Sequence, residues 1–105
     1  MAQIEFGTPF SQTAAGTTSA IATQAAVAGT TYYITDIAGS SDKAGSLLIV
    51  KDGTTVIWEV QLATASVPSF HETFKTPLRA TSGNAVSVTI DGTSACYANI
   101  GGYAI

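Results

Sequence analysis

The chain has 105 residues, of which 46% are apolar and only 10% charged, and its formal net charge is -3. Soluble domains ordinarily carry about 25% charged residues, and a disordered chain needs low hydrophobicity with high charge, so this composition excludes disorder. The four cations, Lys43, Lys51, Lys75 and Arg79, are scattered, which excludes a nucleic-acid surface, because phosphate binding draws its affinity from several cations acting together.

At this length one domain can close a core without disulfides or metals. The single cysteine, Cys96, lies between Ala95 and Tyr97 in an apolar pattern and reads as a small buried hydrophobe. One thiol fits synthesis in a reducing cytoplasm. Residues 1–6 lack the basic stretch and apolar run of a secretory signal. No apolar run approaches the roughly 20 residues of a membrane span. The expectation is a soluble protein, made in the cytoplasm, with no membrane or nucleic-acid partner.

Residues 1–16 read as an extended N-terminal arm. Phe6 and Phe10 stand among Gly7, Pro9, Gly16 and several Ser and Thr, without helical or strand periodicity. Two aromatics in such a segment are a liability in water. The arm is therefore expected to pack along its own domain or to reach a neighbour, and Phe6 and Phe10 are candidate partner contacts. A β-sandwich domain then spans residues 17–105.

Residues 17–27 are expected to be extended, since Thr17, Thr18, Ile21 and Thr23 are β-branched and no capping box is present. Residues 30–37 alternate, with Tyr32, Ile34 and Asp36 on one side and Tyr33, Thr35 and Ile37 on the other. At most one of Tyr32 and Tyr33 can face a core, so both are candidate partner contacts. Residues 39–45 read as a loop. Strands at 46–51 and 55–62 flank Asp52-Gly53, expected as a two-residue hairpin turn with positive φ at both positions. In the second of these strands Val56, Trp58, Val60 and Leu62 form one apolar face, the strongest local signal in the chain, which assigns Trp58 to the core.

A connection containing Pro68 leads to residues 70–74, where Phe70, Glu72 and Phe74 share one side and His71 and Thr73 the other. His71 reads as a surface or interface residue. Pro77 precedes a short segment at 78–80, and Ser82-Gly83-Asn84 turns the chain into the inward-facing Val86, Val88 and Ile90. A second Asp-Gly turn follows at 91–92. A strand at 95–100 is expected to kink at Gly101-Gly102. About eight short strands with regular turn signals predict an all-β antiparallel sandwich, of jelly-roll or immunoglobulin-like topology.

Catalytic parts are lacking. His71 and Glu72 are neighbours in an alternating strand and point to opposite faces, so they do not begin a triad. Gly101-Gly102 precedes no helix and makes no phosphate loop. Asp52 and Asp91 are explained by their turns, and Asp36 and Asp42 read as solvated residues flanking a loop. No catalytic, cofactor or metal residue is assigned, and an enzyme is not expected. Trp58, Tyr32, Tyr33, Tyr97 and Tyr103 have the apolar faces and polar edges that suit sugars or protein interfaces alike.

The segments AGTTYYITDI (28–37), SLLIVKDGTTVIWEVQL (46–62), TPLRATSGNAVSVTI (76–90) and ACYANIGGYAI (95–105) together resemble the small β-sandwich structural proteins of tailed bacteriophages, above all head decoration (cement) proteins. The resemblance implies a jelly-roll-like fold, a homotrimer, and a place on the outer capsid surface of a virion, where the major capsid protein is the partner. The alternative is a receptor- or carbohydrate-binding module of a phage tail fibre or spike.

Overall fold

The computed structural model describes residues 7–62 and 69–105. They form β1 (Thr8–Gly16), β2 (Ser19–Gln24), β3 (Tyr32–Ser41), β4 (Leu47–Asp52), β5 (Thr55–Gln61), β6 (Ser69–Arg79), β7 (Val86–Asp91) and β8 (Cys96–Ala104), with no helix among the described residues. The strands build two four-stranded sheets, ordered β1-β8-β3-β6 and β2-β7-β4-β5, and every pairing is antiparallel. Only β4 and β5 are consecutive strands within one sheet; each other connection crosses between sheets. This is the jelly-roll order.

Alternation places the core. Tyr32, Ile34, Ile37, Ala98 and Ile100 from the first sheet face Ala20, Ala22, Leu48, Val50, Val86, Val88 and Ile90 from the second, all buried. Neighbouring positions on each strand point outward, which is the period-2 consequence of a pleated backbone. Cys96 is buried in this core, as expected. Burial there raises its thiol pKa, and the negative charges of Asp42 and Asp91 raise it further, so the thiol stays protonated.

Several local expectations change in the tertiary structure. Residues 8–16 are not a separate arm but an edge strand, β1, paired with β8 from Thr8↔Ala104 to Gly16↔Cys96. Its inner positions are Phe10, Gln12 and Ala14, and the small residues between them hide the alternation from a reading of hydrophobicity. β3 continues through Gly39 to Ser41, where a loop was expected, because Gly39 and Ser41 face the interior and pair across from Ala98 and Cys96. The expected break at Pro77 is absent: β6 runs on to Arg79, and takes the stretch Thr73 to Leu78 to cover Ile34 to Asp36 of β3. Proline is tolerated there because β6 is an edge strand whose outer side needs no N–H donor.

The two Asp-Gly pairs diverge. At the first, Asp52 is the last strand residue and pairs with Thr55, so the turn residues are Gly53-Thr54. Only Gly53 has positive φ, at +62°, as hairpins with glycine at the first turn position require. At the second, β7 and β8 belong to different sheets, so Asp91-Gly92 opens a crossing loop and not a hairpin. β8 runs through Gly101-Gly102 to Ala104, and the irregularity expected at the glycines falls on the neighbouring strand, where the β3 register shifts opposite them.

The two open sides of the sandwich are closed differently. On the β1/β2 side, Gln12 Nε2 donates to Gln24 Oε1 at 2.8 Å across the sheets. On the β5/β6 side, Trp58 packs against Phe70 and Phe74, with ring centroids 5.8 and 5.5 Å apart. Trp58 is therefore half-buried, a bridge between the two sheet edges and not a central core residue.

Candidate interaction surfaces

The ends of the sandwich are held by aspartates whose carboxylates are already occupied. Asp42 accepts hydrogen bonds from the Ser94 hydroxyl, from the Ser94 N–H at 2.8 Å and from the Thr93 N–H at 2.8 Å. These bonds, that from the Ser94 side chain first, hold its carboxyl well below the usual range. Asp42 is exposed, as expected of an acid beside a loop, and in addition clasps the β7–β8 loop to the β3–β4 loop. Beside it, Lys43 Nζ lies 2.6 Å from Asp91 Oδ2, and the hydroxyls of Ser41 and Ser46 donate to the Asp91 carbonyl at 2.7 and 2.9 Å. The Lys43 hydrogen bond holds Asp91 below its ordinary value.

At the opposite end, Asp52 is buried and accepts from the Thr81 N–H at 2.9 Å, the Thr81 hydroxyl at 2.8 Å and Asn84 Nδ2 at 3.0 Å. Burial pushes its pKa up, but the bonds from Asn84 and Thr81 outweigh it and leave the pKa lowered. This acid thus ties the β4–β5 hairpin to the β6–β7 connection. No group of three His, Cys, Asp or Glu side chains that could hold a metal occurs among the described residues.

What remains open are the two outer sheet faces, and they differ in chemistry. The outer face of β2-β7-β4-β5 is a shallow apolar groove of about 680 Å³, with Ile21, Leu47 and Ile49 on its floor and Lys43, Lys51 and Gln61 at its margins. Ile21 is 56% exposed, Leu47 42% and, on the adjoining edge strand, Val56 46%. The pairing Ile21↔Thr89↔Ile49 sets Ile21 and Ile49 in one row across three strands with Thr89 between them, and Leu47 stands two residues from Ile49 on the same side of β4.

The outer face of β1-β8-β3-β6 is polar and aromatic. Tyr97 and Asn99 lie across from Ser40 and Ala38, and Ala38 lies across from His71. These residues share a smaller depression. Further along, Tyr33 and Tyr103 pair across the strands and stack, with centroids 5.1 Å apart and planes 11° from parallel.

The sequence-predicted contact residues fall in different places. Phe6 lies outside the described residues. Phe10 points inward and packs edge-on against Tyr32, with centroids 5.2 Å apart. Tyr32 is 1% exposed, and its hydroxyl donates to the Ala25 carbonyl at 2.6 Å, so it is a core residue and not a partner contact. Tyr33 and His71 do lie on one outer face. The apolar row of Ile21, Leu47 and Ile49 was missed, because alternation shows which residues share a side and not which side faces water.

No protein-family model matches the chain, and no curated protein does. Among solved structures, the CBM36-1 domain of a multidomain xylanase from the hindgut metagenome of Trinervitermes trinervoides is similar, with 17% identity and a TM-score of 0.41 over 86% of this chain and 76% of that one. At that level the likeness carries no argument about ligand or partner.

Proposed function

We propose that this protein is a non-catalytic virion structural protein, a capsid decoration module that sits on the outer shell as a homotrimer and binds the major capsid protein. The observation that carries the reading is the apolar outer face of β2-β7-β4-β5, where Ile21, Leu47 and Val56 remain exposed on a chain with few charges. Contiguous exposed apolar surface marks an interaction site. Charges stand around the apolar residues, Lys43 and Lys51 at the margins and Glu59 across from Ile49 on the edge strand, and an apolar centre with a charged rim is the usual anatomy of a contact surface. Its Lys43 is already engaged by Asp91. On a shell, many copies bound to one lattice add avidity to a modest single contact.

Quantitative mass spectrometry of gradient-purified particles from the source tests this. A copy number comparable to the shell subunit is the expected result. A few copies per particle would place the protein in a tail, spike or fibre, and absence would remove the virion reading. The double variant Ile21→Asp, Leu47→Asp should lose attachment to the particle while keeping the wild-type melting temperature, since both side chains point into solvent.

A further inference from the structure

The opposite face carries a feature that folding alone does not require. β3 is a central strand, yet its register shifts between Ile34 and Asp36 against both of its neighbours, β6 and β8. A bulge of this kind re-aims a side chain. Here it turns Asp36 onto the outer face over Gly101. A Cβ on Gly101 would stand 2.9 Å from Asp36 Oδ1 and 3.2 Å from Oδ2, so the bare glycine makes room for the carboxylate. Thr35 Oγ1 donates to Asp36 Oδ1 at 2.9 Å and orients the group. Oδ2 accepts no hydrogen bond among the described residues. Unlike Asp42, Asp52 and Asp91, this acid is positioned and left open.

Its surroundings define the ligand. Tyr97, Asn99, Gly101 and Tyr103 alternate along the outer side of β8, so the tract from Tyr97 to Tyr103 is about 20 Å long at the rise of an antiparallel strand. One end presents Tyr97, 52% exposed; at the other, half-buried Tyr33 and Tyr103 stack on each other, between Pro9 and Arg79 in the register. Between them stand Asp36, Asn99 and His71. An exposed aromatic ring beside a row of hydrogen-bonding groups fits a chain of sugar rings, whose C–H faces stack on aromatics and whose hydroxyls bond at the edges. The tract holds one anion, Asp36, flanked by Arg79 across from Tyr33 and by exposed Lys75 in the β6 stretch opposite Thr35, so both signs are interspersed and neither runs along its length. An uncharged ligand matches that balance.

We infer that the outer face of β1-β8-β3-β6 is a binding site for a neutral oligosaccharide lying along β8, with Asp36 accepting hydrogen bonds from sugar hydroxyls, Tyr97 as the stacking platform and the stacked Tyr33–Tyr103 pair bounding the far end. The site is independent of the apolar face assigned to assembly, and either can fail without the other.

The test titrates isotope-labelled protein separately with cellohexaose, xylohexaose and laminarihexaose, with tetragalacturonate as the anionic control, and follows backbone amide shifts. At least one neutral chain should move the amides of Asp36, Asn99 and Gly101. Asp36→Asn and Tyr97→Ala should each weaken that binding about tenfold, the loss of one charge-assisted contact or one platform, with melting temperatures unchanged. Thr54→Ala, in the exposed turn between β4 and β5 and outside both faces, should bind as wild type. The inference is overturned if no neutral hexasaccharide shifts these amides at millimolar concentration, if shifts map elsewhere, if both site variants bind normally, or if tetragalacturonate binds best.

Discussion

Asp52 and Asp36 are both aspartates at strand positions, and their hydrogen bonds separate their roles. Asp52 receives three bonds from Thr81 and Asn84 and is buried. Asp36 receives one, from a side chain beside it, and keeps an oxygen open. Replacing Asp52 by alanine strands the Thr81 and Asn84 donors, and should cost about 1.5–3 kcal/mol in urea unfolding at neutral pH, the range for hydrogen bonds to a charged group. The pKa of Asp52 is lower in the folded than in the unfolded chain. Its contribution is therefore complete above the ordinary carboxylate value near 4 and drains away as the pH falls through the native value. The wild type should lose stability steeply in acid, and Asp52→Ala should show a shallower loss over the same window. Equal slopes would mean that Asp52 does not titrate with folding.

At the scale of elements, β1 decides whether the N-terminal segment is an accessory or part of the fold. Along its full length it pairs with β8, and its Phe10 covers the ring of Tyr32. Without it, β8 becomes an edge and the Tyr32 end of the core opens to water, which exposes both apolar area and unpaired backbone groups. Deletion of residues 1–16 should abolish the cooperative β-sheet signal in circular dichroism. A truncated chain that still melts cooperatively would show β1 to be dispensable. This reverses what the sequence suggests for an arm. Phe10 and Ala14 alternate inward, but Gln12 between them is polar, so no apolar stripe marks the strand.

Across the whole molecule, stability depends on two sheets that share a core and are joined along both open sides. Gln12 and Gln24 close one; Trp58, Phe70 and Phe74 close the other. Because Trp58 is half-buried, Trp58→Ala should cost about 2–4 kcal/mol, toward the lower part of the range for large aromatic truncations and somewhat below it. Urea unfolding measures this, and a cost below about 1 kcal/mol would mean that the seam is held by something else. The same architecture separates the two outer faces by the thickness of the sandwich, so the proposed assembly contact and the proposed glycan site do not compete for space.

The all-β class, the strand count near eight and part of the core were legible in the sequence, because a pleated strand between two layers must alternate and Val86, Val88 and Ile90 do so openly, whereas Leu47-Leu48-Ile49-Val50 is apolar throughout and Val56, grouped with Trp58 by alternation, faces solvent. The extent of single strands was not, since Pro77, Gly39 and Gly101-Gly102 carry strong local break signals that pairing overrides. Pairing also assigned the same Asp-Gly dipeptide to a hairpin in one place and to a crossing loop in the other. Above all, only the tertiary structure decided which of two alternating sides meets water. Period 2 groups residues into sides, but a side becomes a surface only when the second sheet covers the other. That placement buried Tyr32, exposed Ile21 and Leu47, and turned Asp36, which alternation had grouped with Tyr32 and Ile34, outward through a one-residue bulge that no local pattern announces.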